Sequence, residues 1–171
     1  MATTILYPNG DGTIPGLVGG TAGPPYYVNV DEGTDSPNDS DMILVTNQNT
    51  SFFLLLTDCP VDLETVTACT IKVRTADSAK GRAITKAQIF QSDESTALTA
   101  EATWTGSTTT TTYTLNPALT GATDKTTWDG ARLKITTSAA TGGSAALLAA
   151  QVNLTYTEGG GGGGGGGGQN R

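Results

Sequence analysis

The sequence contains no histidine. That absence removes Ser-His-Asp and Cys-His catalysis and every zinc site that needs an imidazole. Cysteine is nearly missing too: Cys59 and Cys69 are the two in the chain, too few for a structural zinc site of their own. Charged residues make up 15% of 171 positions, nine basic against sixteen acidic, for a formal net charge of −7. Neutralising nucleic-acid phosphates takes clustered Lys and Arg, so no nucleic-acid partner is expected. Met1 to Pro8 carries no basic region and no long apolar run, which predicts neither a signal peptide nor a membrane anchor there. No Gly-x-x-x-x-Gly-Lys-Ser/Thr loop occurs, and the glycine run that matches Gly-x-Gly-x-x-Gly trivially is not set between a strand and a helix. A carboxylate pair for glycoside hydrolysis would have to come from Asp31, Glu32, Glu94 or Glu101. Nothing in their spacing selects a pair, so solvated loop charges and a protein that is not an enzyme are expected.

What remains is rich in Thr, Ser and Gly, with 36% hydrophobic residues, enough for one core. Period-two alternation recurs along the chain. Cys69, Ile71 and Val73 alternate with Thr70, Lys72 and Arg74; Leu98, Ala100, Ala102 and Trp104 alternate with Thr99, Glu101, Thr103 and Thr105. The first set of each pair is expected in the core. Further strands are predicted at Thr4–Tyr7, Tyr26–Val30, Met42–Thr46, Ser51–Thr57, Ala83–Gln91 and Thr110–Leu115. After Trp128-Asp129-Gly130, Leu133 and Ile135 face one way. Beyond Thr141-Gly142-Gly143-Ser144, Ala146, Leu148, Ala150, Val152, Leu154 and Tyr156 share a face, which predicts a closing hairpin. Eight or nine short strands without a convincing helix predict an all-β antiparallel β-sandwich of the jelly-roll type. Residues 1–25, crowded with turn formers such as Asn9-Gly10 and Gly23-Pro24-Pro25, read as an extended N-terminal arm. The division expected is therefore 1–25 arm, 26–158 domain and 159–171 tail, with 26–157 folding alone. Phe52 to Leu56 is apolar on both faces, which asks for cover from the arm or from a neighbouring subunit.

The acidic loop from Asp31 to Asp41 holds Asp31, Asp35, Asp39 and Asp41. These are the hard oxygen ligands Ca²⁺ prefers, but the spacing is not that of an EF-hand, and a solvated turn is the plainer reading. Cys59 and Cys69 could meet across a hairpin or stay as two buried free thiols. Asn38-Asp39-Ser40, Asn49-Thr50-Ser51 and Asn153-Leu154-Thr155 fit the glycosylation sequon, a pattern that chance supplies readily in such a composition.

The succession of Asp31-Glu32, Pro37-Asn38-Asp39-Ser40-Asp41, Lys72-Val73-Arg74, Trp104, Tyr113-Thr114-Leu115 and Trp128 to Ile135 resembles jelly-roll structural domains in virions of tailed bacteriophages. The resemblance covers residues 26–157 and is one of layout and turn chemistry. It implies a non-enzymatic accessory subunit, such as capsid decoration, head fibre or tail component, assembled in a host cytoplasm. Its partners would be its own copies and a major capsid or tail protein. The contrasting reading is a carbohydrate-binding or receptor-binding module, with a glycan partner held on exposed aromatics. Tyr26 and Tyr27 are the aromatics that look free for partner contact, too few for a sugar platform.

The ten glycines from Gly159 to Gly168, followed by Gln169, Asn170 and Arg171, cannot belong to a core. A flexible tail is the ordinary reading of such a tract. Ordering it costs on the order of 10–20 kcal/mol, which contacts with a neighbouring chain would have to offset. An inter-subunit tether with Gln169, Asn170 and Arg171 fixing its end is therefore expected.

Overall fold

The structure, a computed structural model, describes residues 1–15, 18–20, 24–77 and 81–159. The glycine tract beyond Gly159 and its Gln169–Arg171 end lie outside these residues. Eleven strands form among them: β1 (Ala2–Leu6), β2 (Pro8–Asp11), β3 (Val18–Gly20), β4 (Ile43–Val45), β5 (Ser51–Leu56), β6 (Leu63–Asp77), β7 (Ile84–Phe90), β8 (Ala102–Thr103), β9 (Thr111–Leu115), β10 (Arg132–Thr137) and β11 (Ala145–Glu158). They build two antiparallel sheets. The first runs β3-β4-β11-β6-β9, with β1 also paired to β11; the second runs β2-β5-β10-β7-β8. The all-β antiparallel sandwich expected from the alternation is therefore what forms. Its core holds Phe52, Leu54, Ile71, Val73, Ile89, Leu133, Ile135, Val152 and Leu154, drawn from the inward positions of both sheets.

The N-terminal stretch is extended, but as strand rather than as a loose arm. Ala2 to Leu6 pairs with Tyr156 to Val152, and β2 pairs with β5 across the other sheet. Turn formers did not prevent this, because Asn9-Gly10 is taken up as an irregularity in the β2–β5 register. β1 and β4 share one edge of β11, at 152–156 and 145–147. In the gap between them the Ala150 N–H donates to the Val30 carbonyl at 3.4 Å, and Val30 is itself core. The expected strand at Tyr26–Val30 is instead a short 3-10 turn, Tyr26–Asn29. The Asp11 carboxylate accepts both the Tyr26 and the Tyr27 N–H at 2.8 Å, which curls the backbone there. Residues 2–6 and 8–11, assigned to the arm by a division at residue 25, are thus paired into the two sheets.

The closing hairpin is the largest correction. β10 pairs with β5 and β7, while β11 pairs with β1, β4 and β6, so the Thr141–Ser144 connection crosses from one sheet to the other. The two strands face each other across the core instead of sharing an edge. A register shift between Leu147 and Ala149 also changes the phase of β11, turning Ala145 and Leu147 inward and leaving Ala146 and Leu148 outside the core cluster. The strand expected from the alternation of Leu98, Ala100, Ala102 and Trp104 shrinks to β8, with isolated bridges at Ala97 and Thr99. Trp128 ends a four-residue helix, α1 (Lys125–Trp128), whose N-cap Asp124 accepts from the Thr127 N–H at 3.0 Å and its hydroxyl at 2.7 Å.

Candidate functional site

The two outer faces of the sandwich differ in cover. Over the first sheet lies the segment 31–41. Gln151, fully buried, accepts from the Thr34 N–H at 2.7 Å and its hydroxyl at 3.0 Å. Gly33 sits with φ +75° where a Cβ would lie 2.5 Å from the Tyr7 ring and 2.9 Å from the Gln151 carbonyl, so only glycine lets the loop lie this close. The acidic loop is pinned rather than free. Arg74 donates from Nε and Nη2 to the two Asp39 oxygens at 2.6 Å each, and Lys72 pairs with Asp35 at 3.3 Å. The Arg74 guanidinium holds the Asp39 carboxyl below the usual carboxylate range. Thus Asp35 and Asp39 are spent on cations of β6, and Asp31, Asp35, Asp39 and Asp41 do not converge. Among the described residues no group of three or more Cys, Asp or Glu is placed to hold a metal ion.

Over the outer face of the second sheet the described residues tie down no comparable loop, although Phe90 on that face is 8% exposed. Register places its outward side chains in three rows: Leu55, Arg132 and Phe90; then Phe53, Lys134 and Gln88; then Ser51, Thr136, Lys86 and Thr103. Phe53 and Phe90 meet edge to face with centroids 5.6 Å apart, and the Lys134 ammonium lies 5.9 and 5.3 Å from the two centroids. No carboxylate pairs with Lys134 among the described residues. The neighbouring cations are engaged: Lys86 with Glu101 at 2.9 Å, and Arg132 with Glu94 at 3.4 Å, whose carboxylate also accepts the Thr13 N–H at 3.0 Å. Ser51 and Thr136 share a hydroxyl hydrogen bond of 2.8 Å. Gly10 and Gly12 of the N-terminal segment lie against Leu55 and Phe53, so that segment supplies part of the cover the doubly apolar β5 asked for. The described surface holds no pocket, so a ligand would lie along a face, across an edge or against a loop.

Other residues singled out in the sequence fall elsewhere. Tyr26 and Tyr27 are half-buried against the core, and nothing in their placement offers a free aromatic. Trp104, expected in the core, is half-buried and stacks with Tyr113 at 5.4 Å where β8 and β9 end their sheets. Gly159 donates its N–H to the Asp62 carbonyl at 2.9 Å, which keeps the start of the tail beside the β5–β6 connection. Glu94 and Glu101, two of the four carboxylates on which a hydrolytic pair would have to draw, each answer a separate cation. Sequence reasoning missed the face around Phe53: the double apolarity of β5 was visible, but which strands would flank it was not.

Cys59 and Cys69 are free and buried. Burial pushes the Cys59 thiol up to about 11, with the Asp129 charge adding to the rise, and pushes Cys69 up to about 12. Both therefore stay protonated at pH 8. The native protein is expected to react with a thiol reagent far more slowly than the same protein in denaturant, and burst labelling of either thiol at pH 8 would contradict their burial.

No protein-family model matches the chain, and no curated protein sequence does. Solved structures share its architecture at low identity. The CBM36-1 domain of a multidomain xylanase from the hindgut metagenome of Trinervitermes trinervoides is 10% identical, with 91% of this chain and 98% of that one covered and a TM-score of 0.45. A family 35 carbohydrate-binding module from an environmental isolate is 12% identical, with 89% and 93% covered and a TM-score of 0.45. The enzymatically active domain of bacteriophage CBA120 tailspike protein 4 is 16% identical over 90% of this chain and 19% of that one, at a TM-score of 0.48. Likeness at this level carries no argument about ligand or reaction. Neither these neighbours nor the described residues support a capsid-decoration role, a capsid or tail partner, or self-assembly.

Proposed function

We propose that the protein is a non-catalytic binding module that lays a glycan on the outer face of its second sheet. The observation that carries this reading is Lys134 held over the half-exposed Phe53 ring and the buried Phe90 ring on the outer face of the second sheet, without a carboxylate partner among the described residues. A sugar ring has an apolar face of C–H groups and a rim of hydroxyls. Phe53 meets the first, while the Lys134 ammonium and the Ser51 and Thr136 hydroxyls meet the second. A flat face without a pocket suits an extended polymer better than an isolated small molecule.

The test is affinity electrophoresis and calorimetry of the full chain against a panel of soluble plant and microbial polysaccharides. At least one polysaccharide is expected to retard the protein. Phe53→Ala is expected to weaken that binding by about tenfold or more, as truncating a central aromatic contact does, with little change in melting because the ring is half-exposed. Retention by no member of the panel, or full retention by Phe53→Ala, would remove the face as a glycan site.

A further inference from the structure

The lysines and arginines among the described residues are mostly paired: Lys72 with Asp35, Arg74 with Asp39, Lys86 with Glu101, Lys125 with Asp129 and Arg132 with Glu94. Arg82 is closed to solvent at 5% exposure, its Nη1 donating to the Gly143 carbonyl. Lys134 is what remains. Acidic residues outnumber basic ones sixteen to nine in this chain, yet none of the described ones pairs with it. The buried side-chain atoms left without a hydrogen-bond partner are Thr75 Oγ1, Arg82 Nε and Trp104 Nε1, so the Lys134 Nζ, also without one, reaches solvent. The Phe53 and Phe90 rings attract the ammonium but do not cancel its charge. The carboxylates beside this face are committed. Glu101 answers Lys86, and Glu94 answers Arg132 and the Thr13 N–H, while Asp93 of the same turn accepts the Ser95 and Thr96 N–H groups at 2.9 Å each.

We infer that the glycan laid on this face is acidic, with Lys134 taking an anionic substituent of the sugar ring that stacks on Phe53 or of its neighbour; the inference rests on the sheet-face reading above. Phe53 and Lys134 stand directly opposite each other on β5 and β10. A ligand that covers the Phe53 ring therefore also takes water from the ammonium. Desolvating a charge is costly unless a counter-charge replaces the lost water. A neutral sugar offers only hydroxyls for that exchange, whereas an anionic group offers charge-assisted hydrogen bonds to an ammonium with three donors. The rings occupy one side of the Nζ, which leaves the solvent side to the ligand. Ser51 and Thr136, the next outward pair on the same two strands, lie roughly 7 Å along and are placed for ring hydroxyls. A uronate carboxylate and a sulfate ester present the same chemistry to Lys134, a compact anion beside an apolar ring face.

The test sets matched polysaccharides against the full chain in affinity electrophoresis and calorimetry: polygalacturonate with its carboxyl-reduced form, and dextran sulfate with dextran. Salt of about 0.15 M screens the long-range repulsion expected from the net charge of −7, so that contact charges decide. At least one acidic polymer is expected to bind, and its neutral counterpart at least about fivefold more weakly. Which pair shows the difference tells carboxylate from sulfate. Lys134→Met is expected to bind both members of that pair about equally, and Lys134→Arg to keep the preference. Phe53→Ala is expected to weaken both members alike. A lysine kept only to cover the two rings would be replaced by methionine without changing which polymer is retained. Equal binding of acidic and neutral forms by the parent, a preference that survives in Lys134→Met, or retention by neutral polysaccharides alone overturns the inference and leaves the sheet-face reading standing. Retention by no polysaccharide, acidic or neutral, removes both. The matched pairs are read on the parent chain, and Lys134→Gln repeats the comparison should the methionine variant not fold.

Discussion

A chain beginning at Gly12 is expected to remain unfolded or to precipitate. Removing residues 1–11 takes one strand from each sheet: β1 from the 152–156 edge of β11, and β2 from the edge of β5. Leu6, 1% exposed, leaves the core, a loss of roughly 2 kcal/mol or more in transfer alone. The Tyr7 backbone, bonded to Thr57 in both directions at 2.9 and 3.2 Å, goes with it. So does the Asp11 carboxylate, which holds the Tyr26–Asn29 turn and through it Val30 in the gap beside Ala150. These losses fall on one connected region, so they compound rather than add, against a net stability of about 5–15 kcal/mol for a domain. The newly bare edges of β11 and β5 are long and apolar, the kind that pair between chains. Circular dichroism and solubility of the shortened chain measure the outcome; a cooperative melt near that of the full chain would return residues 1–11 to the status of a detachable arm.

How far the sequence foretold this molecule depends on the kind of question asked. Alternation says which side of a strand is wet, and Cys69, Ile71, Val73, Leu133 and Ile135 are core as their period requires. It does not say what lies at a strand's edge. β10 and β11 carry matching alternation because both turn a face to the same core, and that pattern is identical whether two strands pair edge to edge or stack face to face. Turn formers misled for a related reason: Asn9 and Gly10 break regularity locally, but the hydrogen bonds of β2 come from β5, some forty residues away in sequence. The acidic loop was legible as acidic and not as pinned, since its cations, Lys72 and Arg74, sit on a strand whose outward side the sequence does show but whose covering loop it does not.

Replacing Trp128 with alanine is expected to cost about 3–5 kcal/mol, the range for emptying a buried aromatic site. The structure buries Trp128 completely, and its indole N–H donates to the Ala122 carbonyl at 3.1 Å. Its surroundings cannot close over the void. On one side α1 is fixed by the Asp124 cap and by Lys125 paired to Asp129 at 2.5 Å, and Asp129 in turn accepts the Cys59 N–H at 3.1 Å. On the other, the Val66 N–H donates to the Thr123 carbonyl at 2.7 Å, and the Ala131 N–H to the Trp128 carbonyl at 3.1 Å as the chain enters β10. A residue gripped from three connections leaves most of its volume as cavity, so the upper part of the range applies. At about 2–4 °C per kcal/mol for a domain of this size, melting should fall by roughly 10–15 °C. Trp128→Phe, which fills much of the space and loses only the bond to Ala122, should cost about 1–2 kcal/mol. Thermal melts of the two variants beside the parent give both numbers. Equal losses in Phe and Ala would mean that the indole hydrogen bond, not the filled volume, holds this end of the sandwich together.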